Sequence, residues 1–372
     1  MALEELLKAE QLLEDTEAAE AYCLLGQLRH SQGRVRAAGM AFILALRRRP
    51  DCAMALRSLY FQRFDDEDLQ ELLPGLDPLV VDKPASLTAQ ILFADWHYRV
   101  GNRDRARRFF RSLFGTGAMA GAEAEADIAE RRPDALLIGA PKSGTTSLMK
   151  YLDAHPGIWC HPRKELHFFN NHYHWGAQWY ADQFPKRGEV GGKLRLEATP
   201  DYLQGPEIPA RVRAALPGVK LIVILREPVA RALSWYHDQA HWSGQAGQGS
   251  EVIAAELREL EALTATQIAS MGWRAPNCLA GSLYDVQLER WRRSFNEHDL
   301  LIVRFEQLCM NPADTLATVL KFLGLEAKRL PPRAEFPPYN QAPEPYARLD
   351  PELTNRCRST VLRNAHRLWC HF

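Results

Sequence analysis

The sequence predicts two parts: an all-α helical repeat domain over residues 1–120, and an α/β domain with a central parallel sheet flanked by helices over 135–372. A connector at 121–134 joins them. Three observations carry this prediction. The apolar runs Ala135-Leu-Leu-Ile138 and Leu221-Ile-Val-Ile-Leu225 are short and unalternating, as strands buried on both faces are. Each leads through a short loop into a helix-like stretch, the order of parallel βα units. In the first third, Gly33, Ala38 and Phe42 recur as Gly101, Ala106 and Phe110, at twice a 34-residue spacing.

The N-terminal elements follow from that spacing. Residues Ala19 to Pro50 read as helix–turn–helix, with Leu25-Gly26, Gly33, Ala38, Phe42, Ala45 and Pro50 in a pattern that resembles the tetratricopeptide repeat. Small residues at helix crossings let paired helices approach, so such units stack. The middle window, about 53 to 86, keeps the length, loses most signature residues, and holds Pro74 and Pro78. The expectation is a tetratricopeptide-like domain that presents an acceptor or a protein partner, or packs on the second domain; an ordinary helical bundle is the alternative. Arg103–Arg111, rich in arginine, reads as a solvated helix face. Gly115–Asp134, rich in Gly, Ala, Glu and Asp, reads as the connector.

The α/β part opens on Gly139-Ala-Pro-Lys-Ser-Gly-Thr-Thr-Ser147, between a strand and the helix that begins at Thr145. Strand, small-residue loop and helix N-terminus wrap an anion in backbone N–H groups at the positive end of a helix dipole. Lys142 adds a point charge; Thr145, Thr146 and Ser147 add hydroxyls. Gly139 and Gly144 keep the spacing of a P-loop, but Thr145 stands where G-x-x-x-x-G-K-[ST] has its lysine. That is hard to reconcile with an ATP or GTP kinase. A turn with no ligand is the plain alternative.

After Leu221–Leu225 comes Arg226-Glu-Pro-Val-Ala-Arg-Ala-Leu-Ser234. A nucleoside-triphosphatase would place a magnesium-binding Asp at such a strand end; here it is an arginine, whose planar fork pairs two phosphate oxygens. Pro228 suits the first turn of the next helix. Arg226 as a mere strand cap, with Ser234 on a helix face, is the competing reading.

Pro141-Lys-Ser-Gly-Thr-Thr146 resembles the 5′-phosphosulfate loop of sulfotransferases, which use 3′-phosphoadenosine 5′-phosphosulfate (PAPS). Arg226 with Ser234 resembles their 3′-phosphate site. Lys164-Glu-Leu-His-Phe-Phe-Asn170 looks like the K-E-x-H-F-F-D signature of the heparan-sulfate-type branch, which includes many bacterial enzymes. Gly192–Tyr202 is similar to the next family block, and Ser282-Leu-Tyr284 with Trp291 to another, so the likeness covers most of 133–365. The resemblance implies a P-loop-like sheet and PAPS as co-substrate, bound by Lys142, Ser143, Gly144, Thr145, Thr146, Ser147, Arg226, Ser234 and Tyr284.

Sulfuryl transfer to an alcohol needs a base, an in-line approach and positive charge on the leaving phosphate. Glu165 is the expected base; burial among Leu166, Phe168 and Phe169 would raise its pKa toward useful basicity. His167 is expected to polarise the acceptor, orient Glu165 or serve as the base itself, and Lys142 to neutralise developing charge. The bland alternative for Glu165 is a surface carboxylate paired with Lys164 or Arg163. No metal is required. Two departures from the family pattern stand out: Ala198 replaces a lysine that contributes to catalysis, and Asn170 replaces an acidic residue. A variant site leaning on Lys193, Arg195 or Lys164 is one reading, and a non-catalytic copy another. Pro-rich Pro331–Pro345 stands where the family has a basic closing loop.

His161, His167, His172 and His174 are interleaved with Phe168, Phe169, Tyr173 and Trp175, and fit an aromatic pocket wall better than zinc spacing. Trp175, Trp179, Tyr180, Trp235, Tyr236, Trp242 and Trp273 serve either as core or as stacking surfaces for adenine or sugars. Lys plus Arg and Asp plus Glu are 46 each, so no global field favours nucleic acid. Seven cysteines without C-x-x-C pairs point to reduced thiols. No signal peptide and no apolar stretch near 20 residues is present, so the expected place is the cytoplasm, of a bacterium, with no membrane span. The expected acceptor is the hydroxyl of a carbohydrate or small metabolite. A phosphotransferase, a protein-tyrosine sulfotransferase and a silent scaffold with a PAPS-binding domain are the rivals.

Overall fold

The computed structural model describes residues 14–61, 64–81, 87–114, 122–243, 249–272, 278–326, 336–337, 339 and 349–362. It divides into two compact units, Met1–Ala120 and Gly121–Phe372.

The first unit holds α1 (Asp15–Ser31), α2 (Val35–Arg48), α3 (Ala53–Phe61), α4 (Asp66–Val81), α5 (Leu87–Arg99) and α6 (Arg103–Phe114). Its core includes Tyr22, Phe42, Leu46, Leu59, Leu72, Phe93 and Trp96. Close approach explains the small residues: a Cβ on Gly26 would meet the Phe42 ring at 2.5 Å, and one on Gly39 the Phe64 ring at 2.7 Å. The turns α1–α2 and α5–α6 share one backbone pattern. Gly33 N–H donates to His30 and Arg34 N–H to Arg29; 68 residues on, Gly101 N–H donates to Tyr98 and Asn102 N–H to His97. Both glycines are left-handed, at φ 72° and 87°, where a side chain is strained. Pro74 and Pro78 lie inside α4 rather than ending it.

The second unit begins with α7 (Ala122–Arg131), within the stretch expected as a connector. Within it Arg131 and Asp127 form a buried ion pair at 3.1 Å, which Lys186 joins at 3.0 Å from Asp127. Strands β1 (Ala135–Gly139), β2 (Ile158–Cys160), β3 (Leu194–Ala198), β4 (Lys220–Leu225) and β5 (Leu300–Arg304) form one parallel sheet, in the order β2-β3-β1-β4-β5. The short edge strand β2 lies outside the two apolar runs that the sequence marks as strands. β1 pairs β3 on one side and β4 on the other, with Leu137 opposite both Ala198 and Ile222. The chain thus reverses its direction of winding at β1, the place where such sheets open a crevice at their carboxyl ends.

Helices cover the sheet because both faces of the central strands β1 and β4 are apolar. The core on one side combines β1, β3 and β4 residues with Leu148 and Leu152 of α8 (Thr145–Asp153) and Leu316 and Leu320 of α16 (Pro312–Phe322). Between these two helices in sequence come α9 (Ala177–Asp182), α10 (Ile208–Ala215), α11 (Pro228–Ser243), α12 (Gly249–Ala262), α13 (Ala265–Ser270), α14 (Tyr284–Ser294) and α15 (Phe305–Met310); α17 (Pro351–Val361) follows. A separate cluster joins Trp235 and Tyr236 of α11 to Leu257 of α12, Leu279, and Cys357 of α17.

Candidate active site

Four chain segments meet at the carboxyl end of the sheet. The loop after β1 turns through Lys142 (φ 66°) into Gly144 (φ 86°), the N-cap of α8. No side chain caps α8, so its first-turn N–H groups are available to an anion. A Cβ on Gly144 would meet the Phe305 ring at 2.7 Å. Ser143 is fully buried, and Thr145 nearly so.

The second segment is Arg226, directly after β4. Its Nη1 donates to the Lys142 carbonyl at 3.1 Å, and its guanidinium lies 4.8 Å from the centroid of Phe305. Phe305, the first residue after β5, therefore walls both the glycine loop and the arginine. Tyr284 OH donates to the Arg226 carbonyl at 3.0 Å, so it holds the strand end in place. Ser234 is buried on α11, one turn before Asp238 and on the same helix face. Asp238 accepts from Lys142 Nζ at 2.8 Å.

The third segment follows β2. Glu165 N–H donates to the carbonyl of Ala198, the last residue of β3, at 2.8 Å. Lys164 Nζ donates to Glu165 Oε1 and to Thr146 Oγ1, 2.9 Å each. Glu165 and His167 are left-handed, at φ 70° and 53°. Among the described residues, the non-glycine positions with positive φ are Lys142, Glu165 and His167, the three expected in catalysis. Backbone strain of this kind costs of order 1–3 kcal/mol and collects at working sites.

Glu165 is not enclosed by aromatic rings as expected; its side chain is 24% exposed and ion-paired with Lys164. Phe168 stacks on Tyr180 at 4.5 Å and Phe169 packs edge-on to Tyr202, so the rings serve the core. His167 stands between two carboxylates, with Nε2 3.9 Å from Glu165 Oε2 and Nδ1 3.9 Å from Asp201 Oδ2. Asn170 Nδ2 contacts His167 Nδ1 at 3.1 Å.

A fourth segment, after β3, braces this loop. Glu197 is fully buried and burial pushes it up to about 7, although Thr199 and Tyr180 donate to it. Tyr202 OH accepts from Phe168 N–H at 2.9 Å, and Thr199 Oγ1 from His167 N–H at 3.4 Å. Burial also raises Asp201, while His167 opposes that rise. Sequence reasoning passed over Asp201, Asp238, Phe305 and Glu197. Asp201 and Glu197 fall within Gly192–Tyr202, but nothing in their spacing marks them.

Ser147 Oγ accepts from Tyr339 N–H at 3.1 Å, and Tyr151 OH donates to the Pro337 carbonyl at 2.8 Å. Part of the proline-rich segment thus seats on α8; the rest of Pro331–Pro345 lies outside the described residues, as do Trp273 and Trp369–Phe372.

The four histidines do not converge. His161 is enclosed between the Arg163 and Gln183 carbonyls, and burial lowers it to about 4. His172 stacks on Trp175 at 3.9 Å. Among the described residues, no group of three or more His, Cys, Asp or Glu could hold a metal ion. Trp179, Tyr180, Trp235 and Tyr236 are core. Among the described residues, no helix is long and apolar enough to cross a membrane.

Comparison with known proteins agrees with this architecture. The human bifunctional heparan sulfate N-deacetylase/N-sulfotransferase 3 is 37% identical over 205 residues, covering 53% of this chain and 23% of that protein. The mouse N-deacetylase/N-sulfotransferase 1 is 34% identical over 205 residues, covering 53% and 22%. The chain therefore spans less than a quarter of the length of these curated relatives. The crystal structure of a sulfotransferase from Alicyclobacillus acidocaldarius shares the fold, with a TM-score of 0.51 at 24% identity, over 64% of this chain and 95% of that one. Residues 132–337, more than half of the sequence, match the sulfotransferase domain family, and the chain belongs to that family.

Proposed function

We propose that the chain moves a sulfuryl group from PAPS to a hydroxyl of a carbohydrate or small metabolite, releasing adenosine 3′,5′-bisphosphate. One observation carries this reading: the glycine loop after β1 and the arginine after β4 are tied by the 3.1 Å bond from Arg226 to Lys142. Two elements suited to anions are thereby adjacent, with a cation where a metal-dependent nucleotide enzyme has its Asp. The uncapped N-terminus of α8, the Gly144 contact with Phe305 and the nearby cations suit a nucleotide carrying phosphates at both ends.

In this reading Ser143, Gly144, Thr145 and Thr146 cradle the 5′-phosphosulfate, and Ser147 supports that cradle by anchoring Tyr339. Arg226 and Ser234 take the 3′-phosphate, and Tyr284 fixes Arg226. Lys142 leaves Asp238 to meet charge growing on the leaving phosphate. Glu165 takes the acceptor proton, and His167, between Glu165 and Asp201, orients it or replaces it as base. No role here requires a metal.

The relatives' names favour a second acceptor chemistry, an amino group on a heparan-type sugar. Transfer of label from ³⁵S-PAPS distinguishes the acceptors: N-desulfated heparan sulfate, its N-acetylated form, and an acidic tyrosine peptide. Calorimetry with adenosine 3′,5′-bisphosphate, with and without magnesium, separates this reading from a phosphotransferase. Lys142→Ala is expected to lose nucleotide binding, and Glu165→Gln to lose turnover while still binding. A fully active Glu165→Gln moves the base role to His167. A parent that prefers ATP with magnesium would end the proposal.

For the first unit we propose a tetratricopeptide-like repeat that presents a protein partner or the acceptor, supported by the matching turns at Gly33 and Gly101. A reducing cytoplasm, in a bacterium, is the compartment we propose, on seven scattered cysteines without C-x-x-C pairs.

A further inference from the structure

The end of β3 carries alanine, not a cation, although Ala198 adjoins Glu165 through the backbone. Three basic residues are near it in sequence or fold, and the topology separates them. Lys193 precedes β3, and Arg195 is its second residue, so both lie at the amino end of a strand whose carboxyl end meets the site. A strand advances about 3.3 Å per residue, which puts Arg195 roughly three steps away from Ala198. Its guanidinium is also committed, to Asp134 at 3.3 Å and to the Pro185 carbonyl at 3.0 Å. Neither of these two serves the site.

Lys164 differs. Its ammonium touches the cradle through Thr146 Oγ1 and the base through Glu165 Oε1, at 2.9 Å each. An ammonium has three N–H donors, and these contacts use two. Lys164 and Glu165 are consecutive, and in extended chain they would point to opposite sides. The left-handed turn at Glu165, φ 70°, accompanies their meeting. A part-buried ion pair between consecutive residues adds little stability, too little to justify that backbone by itself. Lys142 is held on the other side, by Asp238.

We infer that Lys164 is a catalytic residue, the cation that contacts the sulfuryl group between cradle and base; this rests on the sulfuryl-transfer reading above. The acceptor oxygen forms its bond to sulfur as the bond from sulfur to the 5′-phosphate oxygen breaks. The acceptor proton passes to Glu165, and the electron pair of the broken bond stays on the phosphate. Lys164 remains protonated throughout. It shifts from the Glu165 carboxylate to the sulfuryl and bridging oxygens, where negative charge accumulates.

The test uses the full chain and two measurements. Single-turnover release of sulfate from PAPS, with water as acceptor, reports on transfer without an acceptor having to be known. Calorimetry with adenosine 3′,5′-bisphosphate, which lacks the sulfuryl group, reports on nucleotide binding alone. Lys164→Met is expected to slow sulfate release about 100-fold and to change bisphosphate affinity by less than about threefold. Lys164→Arg, which keeps the charge, is expected to stay within about tenfold of the parent in sulfate release. Release within threefold of the parent in Lys164→Met overturns the inference, as does an equal loss in both measurements, which would make Lys164 a nucleotide anchor. A Lys164→Arg variant as slow as a removal variant, Lys164→Gln, also overturns it. A parent that does not bind the bisphosphate overturns the sulfuryl-transfer reading itself, and this inference with it.

Discussion

Arg226 donates to the backbone carbonyl of Lys142, joining the end of β4 to the loop after β1 across 84 residues of sequence. The bond runs to a carbonyl, so it positions the loop without spending the lysine's charge. The same guanidinium lies over Phe305, 4.8 Å from the ring centroid.

Arg226→Lys is therefore expected to do more than trim length. A lysine ammonium cannot stack on Phe305, tie the loop and fork two phosphate oxygens together. Affinity for adenosine 3′,5′-bisphosphate should fall about 10- to 100-fold, while adenosine 5′-phosphate, lacking the 3′ group, should change little. Equal losses for both nucleotides, read by calorimetry, would show that Arg226 only shapes the loop.

In the proposed function, Asp238 competes with a phosphate for Lys142. The pair is 2.8 Å apart, with 23% of each side chain exposed, and a pair of that kind contributes up to about 1 kcal/mol. Asp238→Asn should tighten bisphosphate binding by up to about fivefold, and more at low salt. Weaker binding would instead make Asp238 the group that aims Lys142.

Two buried groups give the second unit opposed pH dependences. Glu197 is raised to about 7 from 4.5, so between those values the unfolded chain has lost a proton that the folded chain keeps. Its contribution to stability therefore falls as pH rises. His161 is lowered to about 4 from 6.5, so the unfolded chain binds a proton there that the folded chain refuses. Its contribution rises with pH. Each amounts to roughly 3 kcal/mol, and they largely cancel where the windows overlap; Asp201, also raised by burial, adds in the sense of Glu197. Glu197→Gln should leave stability increasing from pH 5 to 6.5, and His161→Gln should leave it decreasing from pH 5 to 7. Urea midpoints across that range read the slopes, and slopes of the same sign in the two variants would refute the assignment.

In the first unit, two glycines should fail for different reasons. At Gly26 an added Cβ meets the Phe42 ring at 2.5 Å, so Gly26→Ala overpacks the α1–α2 crossing and costs about 1–3 kcal/mol. At Gly101 there is open space, but φ is 87°, and Gly101→Ala costs about 1–2 kcal/mol through backbone strain alone. Thermal unfolding checks both. Restoring room by Phe42→Leu should recover Gly26→Ala in part and leave Gly101→Ala unimproved.

Local sequence determined the strand–loop–helix at 135–152, the strand ending at Arg226 and the small-residue spacing of the first unit, because each depends on neighbours within a few residues. Hydrophobic runs, glycines and hydroxyl residues report such local preferences directly. Tertiary structure decided which groups meet. It set Asp238 against Lys142, put Phe305 under both the loop and the arginine, and placed Lys164 rather than Lys193 or Arg195 beside Glu165. It also buried Glu197 instead of Glu165 and made α7 part of the second unit. The contacts of Asp238 and Phe305 join positions far apart in the chain, and the meeting of the consecutive Lys164 and Glu165 accompanies a left-handed turn; their energies come from burial and charge in the folded chain, which no spacing along the sequence encodes.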